Sequence, residues 1–118
     1  MGERNLKLRR ASAAEAAGAL SLDGLALLAD ELGRERWRAV SDAAQVVACY
    51  LACHPRVEAV RYPGLKTDEL FSRAASTLVG GFGPRVAFAA AGEWTLWEAD
   101  SRDPREQVMD LERLLNRA

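Results

Sequence analysis

The chain has 118 residues, the size of one ordinary domain, long enough to bury a core without disulfides or metals. Hydrophobic residues make up 49% and charged residues 28%, a globular and not a disordered composition. With 16 basic against 17 acidic side chains the net charge is −1, which excludes the positive surplus that phosphate backbones select, so no nucleic-acid partner is expected.

No apolar run approaches the roughly 18–20 residues needed to span a bilayer. The start, Met1-Gly2-Glu3-Arg4-Asn5, lacks the apolar core of a signal peptide. The expectation is a soluble cytoplasmic protein with no membrane partner. The basic residues are 14 Arg and only two Lys, and there is no Ile, a bias that matches a high-GC coding background. Lysine scarcity leaves few groups that can form a Schiff base.

Residues 1–20 are basic and then alanine-rich; 21–118 read as the domain proper, all within one unit. Ala11 to Ala19 has high helix propensity but a weakly apolar face, so it reads as a frayed helix that needs a partner surface. Ser21 caps a short second helix with Leu22, Leu25 and Leu28 or Leu32 on one side, ended by Gly33. The strongest helix runs from about Arg34 to Cys53, with Trp37, Val40, Ala44, Val47 and Leu51 at helical spacing. His54-Pro55 stops it, because the residue before proline disfavours the helical region.

Val57 to Tyr62 reads as a short strand. In the Tyr62-Pro63-Gly64-Leu65 turn, Pro63 fixes the first central position and Gly64 is expected to take the left-handed second one. Thr67 is the expected N-cap of the next helix, with Leu70, Phe71, Ala74 and Leu78 facing the core. Gly80-Gly81-Phe82-Gly83-Pro84 breaks it. Arg85 to Ala90 and Trp94 to Ala99 form two strands around Ala91-Gly92, a gap short enough for an antiparallel hairpin. Asp103-Pro104-Arg105-Glu106 starts the last helix, whose apolar face is Val108, Leu111, Leu114 and Leu115. The order gives an α+β fold: a small antiparallel or mixed sheet of about three strands with helices mainly on one face. Trp94 and Trp97 are three apart and point to opposite faces of a regular strand. One of them is therefore expected on the less covered face, and both are interface candidates.

Candidate chemistry is sparse. Cys49, Cys53 and His54 make a C-x3-C-H cluster, but three ligands on one helix end rarely close a tetrahedral shell, so buried small hydrophobes are the expected role of the cysteines and no metal site is expected. His54 is the sole histidine, with no recognisable nucleophile or orienting partner, and is expected to interact with the helix carbonyls. Gly80 to Gly83 is followed by Pro84 and a strand, not by the Gly-Lys-Ser/Thr of a phosphate loop. Glu93, Glu98, Asp100 and Asp103 read as a solvated edge, with Asp103 capping a helix. Arg34, Arg36 and Arg38 flank Trp37, but Asp30, Glu31 and Glu35 neutralise the patch. No catalytic or cofactor-binding residue is assigned.

One segment is specific. His54-Pro55-Arg56-Val57-Glu58-Ala59-Val60-Arg61-Tyr62-Pro63-Gly64-Leu65 resembles the HP-x-VE-x-V-x-YPGL segment of the cystathionine γ-synthase and γ-lyase family, the pyridoxal-phosphate (PLP) enzymes of cysteine and methionine metabolism. Weaker likenesses flank it at Gly18–Gly24, in the helix ending at Leu51-Ala52-Cys53, at Gly80–Phe88, and in the closing Asp103–Leu115 helix. The resemblance implies a free-standing, truncated relative of that family's C-terminal small domain, within which His54, Pro55, Val57, Glu58, Tyr62, Pro63, Gly64 and Leu65 have structural roles. It also implies what is missing. The family's PLP lysine lies in a Ser-x-Thr-Lys context in a preceding domain, and neither Lys7 nor Lys66 has that context. The family strand whose arginine holds the substrate carboxylate aligns with Thr95-Leu96-Trp97-Glu98, which has none. About one α-β unit is expected to be deleted between Phe88 and Trp94. The resemblance thus implies a non-catalytic oligomerisation or interaction module, with no cofactor on this chain and a homo-oligomer or partner protein covering its surface. The alternative is an accessory subunit of a split PLP-dependent trans-sulfuration enzyme, with PLP bound only in complex with a lysine-bearing chain.

Overall fold

The computed structural model describes residues 7–117, with side chains from residue 8 to residue 116. The expectations for residues 1–6 and for the Lys7 side chain lie outside the described residues. Four antiparallel strands, β1 (Lys7–Ala11), β2 (Ala59–Arg61), β3 (Arg85–Ala90) and β4 (Glu93–Glu98), form one sheet in the order β1-β4-β3-β2. Among the described residues five helices accompany them: α1 (Ala13–Ala19), α2 (Leu22–Leu32), α3 (Arg34–Ala52), α4 (Phe71–Thr77) and α5 (Pro104–Arg117). The fold is α+β as expected, with four strands in place of about three.

The extra strand is β1, in the segment that reads as a basic leader. Its residues do not alternate in polarity, and their strand conformation comes from pairing with β4, Leu8 opposite Trp97 and Arg10 opposite Thr95. The helix that follows is short and fully capped, not frayed. Ser12 accepts from the Glu15 N–H at 3.1 Å, and Glu15 accepts from the Ser12 N–H at 2.8 Å, a reciprocal capping box. These two bonds hold the Glu15 carboxyl below its ordinary range.

The main core lies between α3, α5 and one sheet face, where Val47, Leu51, Tyr62, Val86, Trp97 and Leu111 are buried. The opposite face is covered in part by α1, with Ala16 against Ala87 and Leu96. Helices are thus heavier on one face. The β3–β4 hairpin turns at Ala91-Gly92, with φ of 53° and 78°. Positive φ at both central residues gives a turn whose twist matches that of the strands. The start of α5 matches its sequence signal: Asp103 accepts from the Arg105 N–H at 2.9 Å, and Pro104 is the first helical residue. Gln107 adds a contact that its helical position does not announce. It is 1% exposed, donates to the Asp100 and Arg102 carbonyls and accepts from the Asp100 N–H, which fixes the β4–α5 connection.

Two local expectations are corrected. Thr67 does not cap α4; Asp68 accepts from the Leu70 N–H at 2.9 Å, and the helix begins at Phe71. Gly64 is not left-handed, since its φ is not positive. Glycine is required there for space: a Cβ would lie 2.3 Å from Gln45 Oε1 and 2.6 Å from Tyr62 Cε2.

Candidate interaction surface

The signature segment serves the fold. Tyr62 is fully buried and its hydroxyl donates to the Gly83 carbonyl at 2.9 Å, with the Ser41 carbonyl at 3.3 Å. Burial, then Asp42 and Cys49, push its phenol pKa up, so it stays a neutral donor. Ser41 accepts from the Gly83 N–H at 3.0 Å, and Gln45 donates to the Gly64 carbonyl at 3.0 Å. Two residues of α3 thus hold both the YPGL turn and the glycine-rich connection. Pro63 is buried, and Val57 and Leu65 pack on the main core.

Asp68 is the polar hub of this region, with a side chain 1% exposed. It accepts from Arg61 Nε at 2.9 Å, from the Tyr62 N–H at 3.0 Å and from the Leu70 N–H. Burial pushes the carboxyl up. The Arg61 contact and the two backbone donors outweigh it and hold the carboxyl below its ordinary range.

His54 does not meet the helix carbonyls. Its Nδ1 accepts from the Arg56 N–H at 3.1 Å, and Nε2 lies 3.4 Å from Glu112 of α5. The acceptor role of Nδ1 puts the proton of the neutral ring on Nε2, toward that carboxylate. Arg56 donates to the Leu115 carbonyl at 2.8 Å, close to the end of α5. Glu58 accepts from the Gly92 N–H at 3.2 Å, which ties the segment to the hairpin turn. Pro55 is exposed at the bend after α3.

Cys49 and Cys53 are exposed, which corrects the expectation of buried small hydrophobes: both fall on the solvent side of α3. Among the described residues no group of three or more His, Cys, Asp or Glu is placed to hold a metal. The four carboxylates near the hairpin pair with arginines, not with one another: Glu93 with Arg10, Glu98 with Arg85, Asp100 with Arg102 and Asp103 with Arg105. Trp97 is 1% exposed in the main core and presents no surface, which removes it as an interface candidate; the pleat turns it toward α3 and α5. Trp94 lies on the other face, half-buried beside α1.

Open concavities among the described residues include one between β1, α1 and β4, one between α2 and the start of α3, and one where α2 approaches Leu70 and Arg73. Lys66 is exposed in the loop before α4 and lines none of them. Among the described residues, no helix is long and apolar enough to cross a membrane.

No family model matches the sequence, and no curated protein matches it. Solved structures do match in fold. An O-acetylhomoserine (thiol)-lyase from Campylobacter jejuni, carrying N'-pyridoxyl-lysine-5'-monophosphate, superposes with a TM-score of 0.64 at 14% identity over 68% of this chain and 28% of its own. A methionine gamma lyase from Micromonospora echinospora superposes with a TM-score of 0.62 at 18% identity, over 68% of this chain and 32% of its own. The chain therefore shares the fold of part of these enzymes and spans about a third or less of their length.

Proposed function

We propose that this chain is a non-catalytic relative of one domain of the PLP lyases, and that it works as an oligomerisation or interaction module. The observation that carries this reading is the division of labour within the signature. Tyr62, Gly64, Glu58 and His54 each bond or pack within the chain, while among the described residues Lys66 is exposed and β4 carries no arginine. PLP requires an amine inside a pocket that excludes water. Lys66, the lysine whose side chain is described, is exposed in the loop before α4, which supports a reading without a Schiff-base lysine on the described residues. Thr95, Trp97 and Glu98 occupy the strand where the resemblance expects an arginine, and a carboxylate at Glu98 repels a carboxylate substrate.

A domain that makes up 28% of a larger enzyme's length has surface that the rest of such an enzyme would cover. In this reading a second copy or another protein covers that surface, and the half-buried Trp94 is the interface candidate that remains. Light scattering across a concentration series tests this: a mass above the 12.9 kDa monomer, or a stoichiometric co-purifying protein, is expected. A strict monomer with nothing bound contradicts it.

The short coverage of both neighbours also favours a second reading, a subunit of a split PLP-dependent enzyme completed by a lysine-bearing chain. Mixing this chain with such a large-domain protein should then raise lyase or transferase activity. No increase would remove that reading.

A further inference from the structure

The sheet ends on β1, and one side of that strand has no neighbouring strand among the described residues. The register shows which backbone groups lie on the open side. The Ala99 N–H donates to the Pro84 carbonyl at 2.8 Å, so the odd-numbered residues of β4 turn their backbone groups toward β3. The even-numbered ones, Trp94, Leu96 and Glu98, turn theirs toward β1, where they stand opposite Ala11, Arg9 and Lys7. The N–H and C=O groups of Leu8 and Arg10 therefore point away from the sheet. Among the described residues neither bonds to the backbone of a loop or helix. A row of open strand groups is a template for one more strand. The other edge, β2, is only three residues long and offers less.

Charge decides which strand fits. Three of the five β1 residues are basic and none is acidic. Residues 1–10 hold four basic and one acidic side chain, a net +3, so the rest of the chain carries −4 within the whole-chain −1. β1 is thus the basic edge of an otherwise acidic molecule. Arg10 keeps Glu93 at 3.2 Å, whereas Arg9 has no ion-pair partner within 4.0 Å among the described residues. Glu15 feels the Arg9 charge but already accepts from the Ser12 N–H. A second copy fits poorly. Antiparallel pairing of two β1 edges sets Leu8 opposite Leu8, Leu8 opposite Arg10, or Arg10 opposite Arg10. Those registers bring together Lys7 and Arg9, Arg9 and Arg9, or Arg10 and Arg10 of the two copies, and like charges face to face are destabilising.

The alternation of faces gives the partner's pattern. Leu8 stands opposite Trp97, on the main-core side of the sheet, and is 37% exposed at its rim. Arg9 stands opposite Leu96, on the α1 side. An added strand meets Leu8 with an aliphatic side chain and Arg9 with a carboxylate. We propose that the open edge of β1 takes up, as a fifth strand, an extended segment of a partner protein in which acidic and aliphatic residues alternate. Backbone bonds to Leu8 and Arg10 supply affinity, and the carboxylate opposite Arg9 selects the segment. The proposal rests on the interaction-module reading and names the partner's chemistry.

The probe is a fluorescein-labelled Val-Glu-Val-Glu-Val-Glu peptide followed by anisotropy. One control carries Lys for each Glu. A second keeps every side chain but is N-methylated at each Val, which removes its donors to the edge. Saturable binding of the first peptide alone is expected. Leu8→Pro removes one outward N–H and spares the groups that face β4, so the fold holds and binding falls at least about tenfold. Hydrogen exchange of the unaltered chain is the second readout. The Leu8 and Arg10 amides should exchange fast in the free protein and at least about tenfold more slowly with peptide bound, while Arg9 and Ala11 stay protected throughout. No saturable binding, equal binding of either control peptide, or unchanged Leu8 and Arg10 exchange would overturn the proposal. So would slow exchange of those amides in the free monomer, because the chain would then cover its own edge. A native dimer that Leu8→Pro dissociates also overturns it, because a second copy would fill the edge. An oligomer or co-purified complex indifferent to Leu8→Pro, with no peptide bound, defeats this proposal alone. A strict monomer without any partner defeats the reading beneath it.

Discussion

Gly64→Ala isolates the packing around the YPGL turn. The backbone there is not left-handed, so the substitution carries no dihedral penalty, and its whole effect comes from one added methyl group. That methyl would stand 2.3 Å from Gln45 Oε1, 2.6 Å from Tyr62 Cε2 and 3.0 Å from Phe82 Cδ2. Gln45 can swing aside, but it then gives up its hydrogen bond to the Gly64 carbonyl, worth about 1 kcal/mol. The Tyr62 ring has no such freedom, because its hydroxyl is tied to the Gly83 carbonyl and its ring is fully buried. Overpacking of this kind costs about 1–3 kcal/mol. The sum is about 2–4 kcal/mol, or a fall in Tm of about 8–16 °C at roughly 4 °C per kcal/mol for a domain of this size. Thermal unfolding followed by circular dichroism reads it directly. Gly18→Ala is the internal control: nothing lies within 4 Å of its Cβ, and alanine in a helix should raise stability by roughly 0.5 kcal/mol. Removing the amide with Gln45→Ala in the Gly64→Ala background should restore little, since the ring contact remains. A Gly64→Ala Tm within about 2 °C of the wild type, or full rescue by Gln45→Ala, would show that the buried ring is not the obstacle.

Three further outcomes follow from the same contacts. The folded Asp68 carboxyl ionises below its ordinary value of 3.8, so the unfolded chain takes up a proton first on acidification. That stability is complete above 3.8 and drains as pH falls through the folded pKa; Asp68→Asn should lose it at neutral pH, and urea midpoints of the two proteins should converge in acid, whereas parallel curves would contradict the assignment. Tyr62→Phe should lower stability by about 1–2 kcal/mol with an unchanged urea m-value, because one buried donor to the Gly83 carbonyl is lost without a change of shape. Trp97→Ala should cost about 3–5 kcal/mol as a core truncation, while Trp94→Ser should leave the fold and weaken self-association; equal unfolding by both would show that Trp94 is also structural.

Local signals carry much of the fold. Ser21, Gly33, Asp103-Pro104 and Ala91-Gly92 each stand where their cap or turn chemistry predicts. The α3 face is the face its spacing predicts. What escapes depends on contacts far apart in sequence. β1 has no strand pattern of its own and exists through β4, although Ser12 and Glu15 do announce the helix after it. The pleat separates Trp94 from Trp97, but only the packing of α3 and α5 decides that Trp97 is the buried one. The exposure of Cys49 and Cys53 follows from which side of α3 meets the sheet, a fact two cysteines four apart do not carry. Asp68 and Gln107 also serve backbone groups six and five residues back in the chain, a loop geometry that local propensity does not mark.

The functional reading stands or falls on whether this chain has an amine placed to bind PLP. Incubation with PLP, borohydride reduction and peptide mass analysis answers that question. Slow, unsaturable labelling shared between exposed amines is expected, with no single lysine modified stoichiometrically. Rapid one-to-one labelling of Lys7 or Lys66, with visible imine absorbance lost on substituting that residue, would contradict the non-catalytic reading.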